Sequence, residues 1–128
     1  MTDVKIKTKS IYEPKEENDG VRVLITRYYP RGVKKSHFDI WLRSLSPSPE
    51  LLRHYKHGLE TWENFESRFE TEIKSSIEGK NGLQAILSLC EKSDVTLLCY
   101  ERAGNNCHRY LIKDMLRGHP PSLKPFYA

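Results

Sequence analysis

The chain lacks long apolar runs and has few cysteines, which argues against a membrane-spanning protein and against a disulfide-rich one. None of the apolar stretches in its 128 residues approaches the roughly 20 residues that a helix needs to cross a bilayer. The N-terminal Met1–Lys7 has no apolar signal core, so we expect a cytoplasmic protein with no membrane partner. Three cysteines are an odd number without an export signal, so we expect reduced thiols and no disulfide framework.

Several familiar catalytic signatures are also missing. There is no P-loop lysine motif, no G-x-G-x-x-G and no G-x-S-x-G, which disfavours nucleotide hydrolysis and dinucleotide-dependent redox chemistry, so we expect no cofactor. A phosphatase cradle needs an arginine six residues after its cysteine, but Asn105 follows Cys99 at that spacing and Lys113 follows Cys107. The residues that are present, 38% hydrophobic and 30% charged, are typical of a globular domain. We expect one domain over residues 1–128, with a short proline-containing tail at 118–128.

Three segments have the pattern of strands. Val4–Lys7 alternates apolar and polar residues, and Val21–Arg27 is rich in β-branched residues. Val95–Tyr100 is almost continuously apolar, which is typical of a strand inside a parallel sheet that is covered on both faces. Period-two alternation places Val95, Leu97, Cys99 and Glu101 on one face of that last strand.

Five segments have the pattern of helices. We predict a short helix over Asp39–Leu45, and a second that begins at Ser48-Pro49 and ends near Gly58. The third follows Thr61, and its apolar stripe consists of Trp62, Phe65, Phe69, Ile73 and Ile77. Residues 79–82, with glycine at both ends, are expected to break that helix before a fourth, on whose apolar face Cys90 lies as a buried, inert thiol. The stripe of the last helix consists of Leu111, Ile112, Met115 and Leu116.

The order of these elements predicts an α/β fold. We expect a small three-layer domain in which a short, mainly parallel sheet has helices packed on both faces. Ligands of open parallel sheets bind beyond the carboxyl ends of the strands. The loops at Arg27–Gly32 and Glu101–Arg109 follow two predicted strands, so we expect both loops to open onto one cleft.

The loop before the last helix carries the side chains best suited to catalysis or ligand binding. Cys107 is expected in the first helical turn, where unpaired N–H groups and the helix dipole lower the pKa of a thiol. His108 and Glu101 are the other candidate catalytic groups, with Glu101 as a general base or as a partner for an arginine. The candidate ligand-binding residues are Arg27, Arg31, Arg109 and Asn106, since forked guanidinium donors suit phosphate and carboxylate groups.

Simpler roles exist for each of these groups. Cys99 is expected to be a packed core residue, and Arg31 and Arg109 could each form a structural ion pair. Cys99, Cys107 and His108 could supply zinc ligands, but the chain has no C-x-x-C pair and their spacing is unusual, so we expect no metal. We therefore predict a protein that binds an anionic or phosphate-bearing small molecule, with thiol-dependent chemistry at Cys107. The alternative is a non-catalytic accessory domain that binds nucleic acid or protein, and the sequence does not fix the oligomeric state.

The chain also resembles a known family. The motifs that carry the resemblance, in chain order, are Val21–Arg27, Tyr29–Gly32, Asp39–Leu42, Ser46–Glu50, His57, Trp62-x-x-Phe65-x-x-Arg68-Phe69-x-x-Glu72, Leu97–Glu101 and Cys107–Arg109. In these motifs the chain is similar to the DUF488 family of YeaO-like proteins, with Tyr29 where that family usually has tryptophan. The resemblance implies a small three-layer α/β fold with a pocket near the Cys-His-Arg segment, and it implies no particular activity.

Overall fold

A computed structural model of the protein describes residues 6–100 and 107–117, and these form four strands and four α-helices. The strands are β1 (Ile6–Ser10), β2 (Val21–Leu24), β3 (Ile40–Trp41) and β4 (Val95–Cys99). The α-helices are α1 (Pro49–Lys56), α2 (Trp62–Ser75), α3 (Ile77–Cys90) and α4 (His108–Arg117), and short 3-10 helices occupy Glu17–Asp19, Lys35–His37 and Arg43–Leu45. None of the helices within these ranges is long and apolar enough to span a bilayer.

The four strands form one parallel sheet in the order β1-β4-β2-β3. Every residue of β4 is buried, as the continuous apolar pattern predicts for a strand flanked on both sides and covered on both faces. The predicted α/β class with a parallel sheet is therefore confirmed. Because β2 pairs directly with β4, the loops that follow these two strands leave the same edge of the sheet.

The two faces of the sheet are covered differently. Val23, Val95 and Leu97 face the main core, to which all four α-helices contribute side chains. Leu24 and Leu98 point the other way and pack with Val33 and Phe38 of the connections and with Trp41 of β3. The layer on this second face consists of loops and short 3-10 helices, whereas the α-helices lie on the first.

Serine side chains define two of the helix starts. Ser48 caps α1 by accepting a hydrogen bond from the Leu51 N–H at 3.1 Å, with Pro49 at the first helical position as predicted. Ser76 separates α2 from α3 and caps α3 through the Gly79 N–H at 2.7 Å. The break predicted at residues 79–82 is therefore wrong, and Ile77 is 71% exposed instead of part of the core stripe.

The two glycines lie inside α3 because neighbouring groups approach its backbone closely. A Cβ at Gly79 would lie 2.4 Å from the Ile73 carbonyl oxygen, and one at Gly82 would lie 2.8 Å from the Ser44 Oγ. Glycine here permits close packing and does not end the helix.

The helix predicted over Asp39–Leu45 is also wrong. The Asp39 carboxylate accepts the Arg22 N–H at 2.8 Å, and Ile40–Trp41 pair with β2 as an edge strand. A single 3-10 turn, Arg43–Leu45, follows. The β-branched and aromatic residues at 40 and 41 find backbone partners on the sheet, and this tertiary pairing outweighs the local capping signal of Asp39.

Candidate functional site

A cavity of about 530 Å³ opens at the carboxyl ends of β2 and β4. It lies at the edge where parallel α/β sheets bind their ligands, and the cleft predicted from the topology is therefore present. Its described lining consists of Thr26, Arg27, Tyr28, Pro47, Leu52, Tyr55, Lys56, Trp62, Phe65, Cys99, Tyr100, Cys107 and His108.

Two sulfur atoms meet in the wall of this cavity. Cys99 is the last residue of β4, and Cys107 immediately precedes α4, so it lies just outside the first helical turn in which we predicted it. The two sulfurs are bonded to each other as a disulfide. The expectation of three reduced thiols is therefore wrong for this pair, because packing of α4 against the sheet brings together cysteines eight residues apart. Cys90 is a free thiol and is buried as predicted.

His108 lies beside the sulfur pair in a fixed tautomer. Its Nε2 is 2.5 Å from the Ile25 carbonyl oxygen, which can only accept a hydrogen bond, so Nε2 carries the proton. Nδ1 is left with its lone pair, 3.7 Å from the Cys107 Sγ. Burial, together with the nearby charge of Arg109, lowers the pKa of His108 to about 4 against the opposing effect of the Ile25 hydrogen bond. The imidazole is therefore neutral at pH 7.

Arg109 contacts the sulfur pair but does not line the cavity. Its side chain is fully buried, and Nη1 donates to the Cys99 Sγ at 2.9 Å while Nη2 donates to the Tyr110 hydroxyl at 3.1 Å. The guanidinium carbon also lies 4.7 Å from the centre of the Tyr110 ring. Arg109 was predicted to bind a ligand directly, but the structure places its charge against a sulfur atom.

The predicted arginines of the first loop are separated. Arg27 lines the cavity, where its Nε donates to the Pro47 carbonyl oxygen at 3.1 Å. Arg31 is exposed and is not part of the cavity lining. The chain turns away after Tyr28, because Tyr29 packs edge-on against Trp41 on the second face of the sheet, with ring centres 5.7 Å apart. The prediction that Arg27 and Arg31 share one cleft is therefore wrong.

The other predicted site residues, Glu101 and Asn106, lie outside the described residues. The cation that joins Arg27 at the cavity is instead Lys56, from the last turn of α1. Among the described lining residues there are these two cations and no carboxylate.

An aromatic wall was not predicted from the sequence. Trp62 and Phe65 stack at 5.0 Å between ring centres, and Tyr55 contacts Trp62 at 5.5 Å. Trp62 and Phe65 belong to the stripe that we interpreted as core, whereas Tyr55 comes from α1. Phe65 is indeed buried, but all three rings also line the cavity. The available signal was the position of Trp62 directly after the helix cap Thr61, since the start of a helix that packs on a sheet often reaches its edge.

Comparison with known proteins places the chain in a family. The model of the active DUF488-N3 subclade matches residues 6–119. The chain belongs to the DUF488 family. It is 30% identical over 115 residues to the uncharacterized protein YeaO of Escherichia coli strain K12, covering 88% of this chain and 96% of YeaO. It is 29% identical over 120 residues to the uncharacterized proteins Mb3100c of Mycobacterium bovis and Rv3073c of Mycobacterium tuberculosis, covering 92% of this chain and 98% of each. No solved structure matches it.

The resemblance seen in the motifs is thus confirmed, and several of those motifs border the cavity of this DUF488 protein. The segments around Arg27, Ser46–Glu50, Trp62–Phe65 and Cys107–His108 come together at its lining or directly beside it. They are distant in sequence and are joined only by the fold.

Proposed function

We propose that this protein binds a small anionic molecule with a planar ring in the cavity at the ends of β2 and β4. The observation that carries the proposal is the lining itself, which combines an aromatic wall, two cations and a pair of sulfur atoms in one cleft. A cavity of about 530 Å³ is within the usual range for small-molecule sites.

The charge of the cavity supports an anionic ligand. Arg27 is partly buried and is oriented by the carbonyl oxygens of Pro47 and Ser46, at 3.1 and 3.4 Å. Such a pinned guanidinium loses little side-chain entropy when it binds a phosphate or carboxylate. Lys56 adds a second charge, and the neutral His108 can accept a hydrogen bond at Nδ1, because its Nε2–H already donates to the Ile25 carbonyl oxygen.

The aromatic wall supports a ring-bearing ligand. Tyr55, Trp62 and Phe65 form a contiguous cluster along one side of the cavity. Aromatic side chains stack on planar rings with a preference for offset and edge-on geometry, adding about 0.5–1.5 kcal/mol per pair. A nucleoside monophosphate, which carries both a planar base and a phosphate, is a suitable probe of this combination.

The sulfur pair supports thiol-dependent chemistry on the bound molecule. Cys107 lines the cavity at the start of α4, and its thiol, once reduced, is expected to be the reacting group. We place the protein in the cytoplasm, where low-molecular-weight thiols keep cysteines reduced.

Calorimetric titration tests the binding proposal. A nucleoside monophosphate is expected to bind more tightly than either inorganic phosphate or the uncharged nucleoside, since each of these carries only half of the recognised chemistry. Lys56→Ala should lower the affinity for the monophosphate by about two- to fivefold, the usual range for one exposed charge pair. Arg27→Gln should weaken it by about tenfold or more, because its guanidinium is partly buried and charge-assisted.

Arg31→Ala is the matched control, because Arg31 is an exposed cation outside the cavity. It should leave the affinity unchanged. If none of the three compounds binds, or if Arg31→Ala weakens binding as much as Lys56→Ala, the proposal is wrong. A loss of affinity that depends on net charge alone would indicate nonspecific attraction to a protein of charge +4.

A further inference from the structure

Three metal-binding side chains converge in the wall of the cavity. The sulfurs of Cys99 and Cys107 and a ring nitrogen of His108 all lie within 4.8 Å of one another. They come from the end of β4 and the start of α4 and are joined by packing, so the missing C-x-x-C spacing does not count against them. We propose that these three side chains, with both cysteines reduced, bind one zinc ion or another divalent ion that prefers sulfur and nitrogen ligands.

The orientation of His108 suits a metal ligand. Metal-binding histidines usually donate their other ring N–H to a carbonyl or carboxylate, and the Nε2–H of His108 donates to the Ile25 carbonyl oxygen at 2.5 Å. Nδ1 then faces Cys107, 3.7 Å from its sulfur. Zinc–sulfur bonds of about 2.3 Å and zinc–nitrogen bonds of about 2.0 Å at a tetrahedral angle place the two ligand atoms about 3.5 Å apart. The observed distance is close to that spacing.

The surroundings of Cys99 suit a thiolate ligand. The Arg109 Nη1 donates to its sulfur at 2.9 Å, and a cationic donor stabilises the deprotonated form. The Cα atoms of Cys99 and Cys107 are 7.7 Å apart, whereas most disulfides span about 4.4–6.8 Å. The two Cα atoms are therefore farther apart than a disulfide needs, and the sulfurs can separate around an ion once they are reduced.

Loading the site requires reduction of the Cys99–Cys107 bond. Two equivalents of a low-molecular-weight thiol supply the two electrons and two protons, giving two cysteine thiols and one small-molecule disulfide. Binding of the divalent ion then releases two protons as both thiols become thiolates, so the ion and its two sulfur ligands are together neutral. Soft thiolates with an imidazole favour zinc over magnesium or calcium.

Among the described residues the proposed site has three protein ligands, so none of them fills the fourth position of a tetrahedral ion. Cys99, Cys107 and His108 all line the cavity, and no fourth histidine, cysteine or carboxylate joins their group within the described part of the chain. Three protein ligands with one open position are typical of catalytic zinc, which lowers the pKa of a bound water to about 7. The open position would face the cavity and its ligand. Metal binding at these three side chains does not require an organic ligand in the cavity.

A cobalt titration of the Cys90→Ser protein tests the site. The substitution removes the buried core thiol, so Cys99 and Cys107 are the only cysteines left. The protein is reduced with a phosphine, freed of metal with a chelator and titrated anaerobically with Co²⁺, then with Zn²⁺. We expect one equivalent of Co²⁺, with a thiolate-to-cobalt charge-transfer band and the intense visible bands of tetrahedral coordination, both abolished by one equivalent of Zn²⁺. Mg²⁺ should leave the spectrum unchanged.

Two variants in that background assign the ligands. Cys107→Ser should remove most of the charge-transfer intensity, and His108→Gln should lower the cobalt affinity by about tenfold or more while keeping the thiolate band. Circular dichroism checks that each variant is folded. A folded, reduced Cys90→Ser protein with no charge-transfer band overturns the proposal without needing either variant. Cobalt binding that survives Cys107→Ser unchanged overturns it as well. Because no organic ligand is present, neither result bears on the binding of a ring-bearing anion.

Discussion

Replacing Asp19 by asparagine is expected to destabilise the protein strongly, although Asp19 is far from the cavity. Its carboxylate lies on the second face of the sheet and is 1% exposed. It pairs with the guanidinium of Arg22, which is fully buried, and with the ammonium of Lys9 at 3.1 Å. It also accepts the Glu16 N–H at 3.0 Å. Asparagine preserves the shape of the side chain and removes the negative charge between two cations.

The magnitude follows from the burial of Arg22. Breaking a buried ion pair by removing one partner costs about 3–5 kcal/mol, because the other charge is left uncompensated. Arg22 would keep its hydrogen bond from Nε to the His37 carbonyl oxygen at 2.9 Å but would have no buried counter-charge among the described residues. A loss of about 3 kcal/mol, with a urea m-value of about 1.5 kcal/mol/M, lowers the unfolding midpoint by about 2 M.

Urea unfolding of Asp19→Asn, Arg22→Met and the double variant measures the effect. Arg22→Met should cost less, since Asp19 keeps Lys9 and the backbone donor. The double variant should be more stable than Asp19→Asn alone, because the orphaned charge is gone. A loss below about 1 kcal/mol for Asp19→Asn, or simple additivity in the double variant, would show that the buried Asp19–Arg22 pair is not a major contributor to the free energy of unfolding.

The pH dependence gives an independent check. Burial alone would raise the pKa of Asp19, but hydrogen bonds from the Glu16 N–H, Lys9 and Arg22 more than offset this and lower it below 3.8. A carboxyl group with a lowered folded-state pKa contributes its full stability above its unfolded pKa and loses it as the pH falls through the folded value. The stability difference between the wild type and Asp19→Asn should therefore be constant at neutral pH and shrink below about pH 4.

Two further predictions concern α3 and the thiols. Gly79→Ala should lower the free energy of unfolding by about 1–3 kcal/mol although alanine has the better helix propensity, because the new Cβ would lie 2.4 Å from the Ile73 carbonyl oxygen. The control is Asn81→Ala, at an exposed position of the same helix, which should be neutral or slightly stabilising in thermal unfolding. In reduced protein at pH 7.5, iodoacetamide should label Cys107 well before Cys90, because burial raises the pKa of Cys90 to about 11, helped by the charge of Asp94. Peptide mass spectrometry measures both rates, and equal labelling would contradict a distinct role for Cys107.

Much of the fold was predictable because its signals are local. The apolar run of β4 and the serine-proline start of α1 depend on neighbouring residues, and both are where the sequence predicts them. Asp39–Leu45 and Gly79–Gly82 were misassigned because their conformations depend on residues outside each segment. The carboxylate of Asp39 binds the backbone of β2, and a Cβ at either glycine would meet residues outside α3.

The position of the site at the ends of two strands was predictable from the sequence, but the arrangement of its side chains was not. Because β2 and β4 are neighbours, Arg27 and Cys107 do share one cavity. The direction in which the chain leaves β2 depends on the packing of Tyr29 against Trp41, so sequence order alone could not separate Arg31 from Arg27. The bond between Cys99 and Cys107 depends on how α4 packs against the sheet, and the sequence spacing of the two cysteines does not reveal that packing.

The oxidation state of the sulfur pair links the two proposals. A bonded Cys99–Cys107 pair has no thiolate, so it can neither attack a bound molecule nor hold an ion. Arg27, Lys56 and the aromatic wall do not depend on that bond, so a ring-bearing anion should bind the oxidised and the reduced, metal-free protein with similar affinity. If the open coordination position faces the cavity, zinc should change that affinity only in the reduced protein. An effect of zinc on the oxidised protein would place the ion elsewhere, whereas no effect on the reduced, zinc-loaded protein would mean that the anion and the ion do not share the cavity.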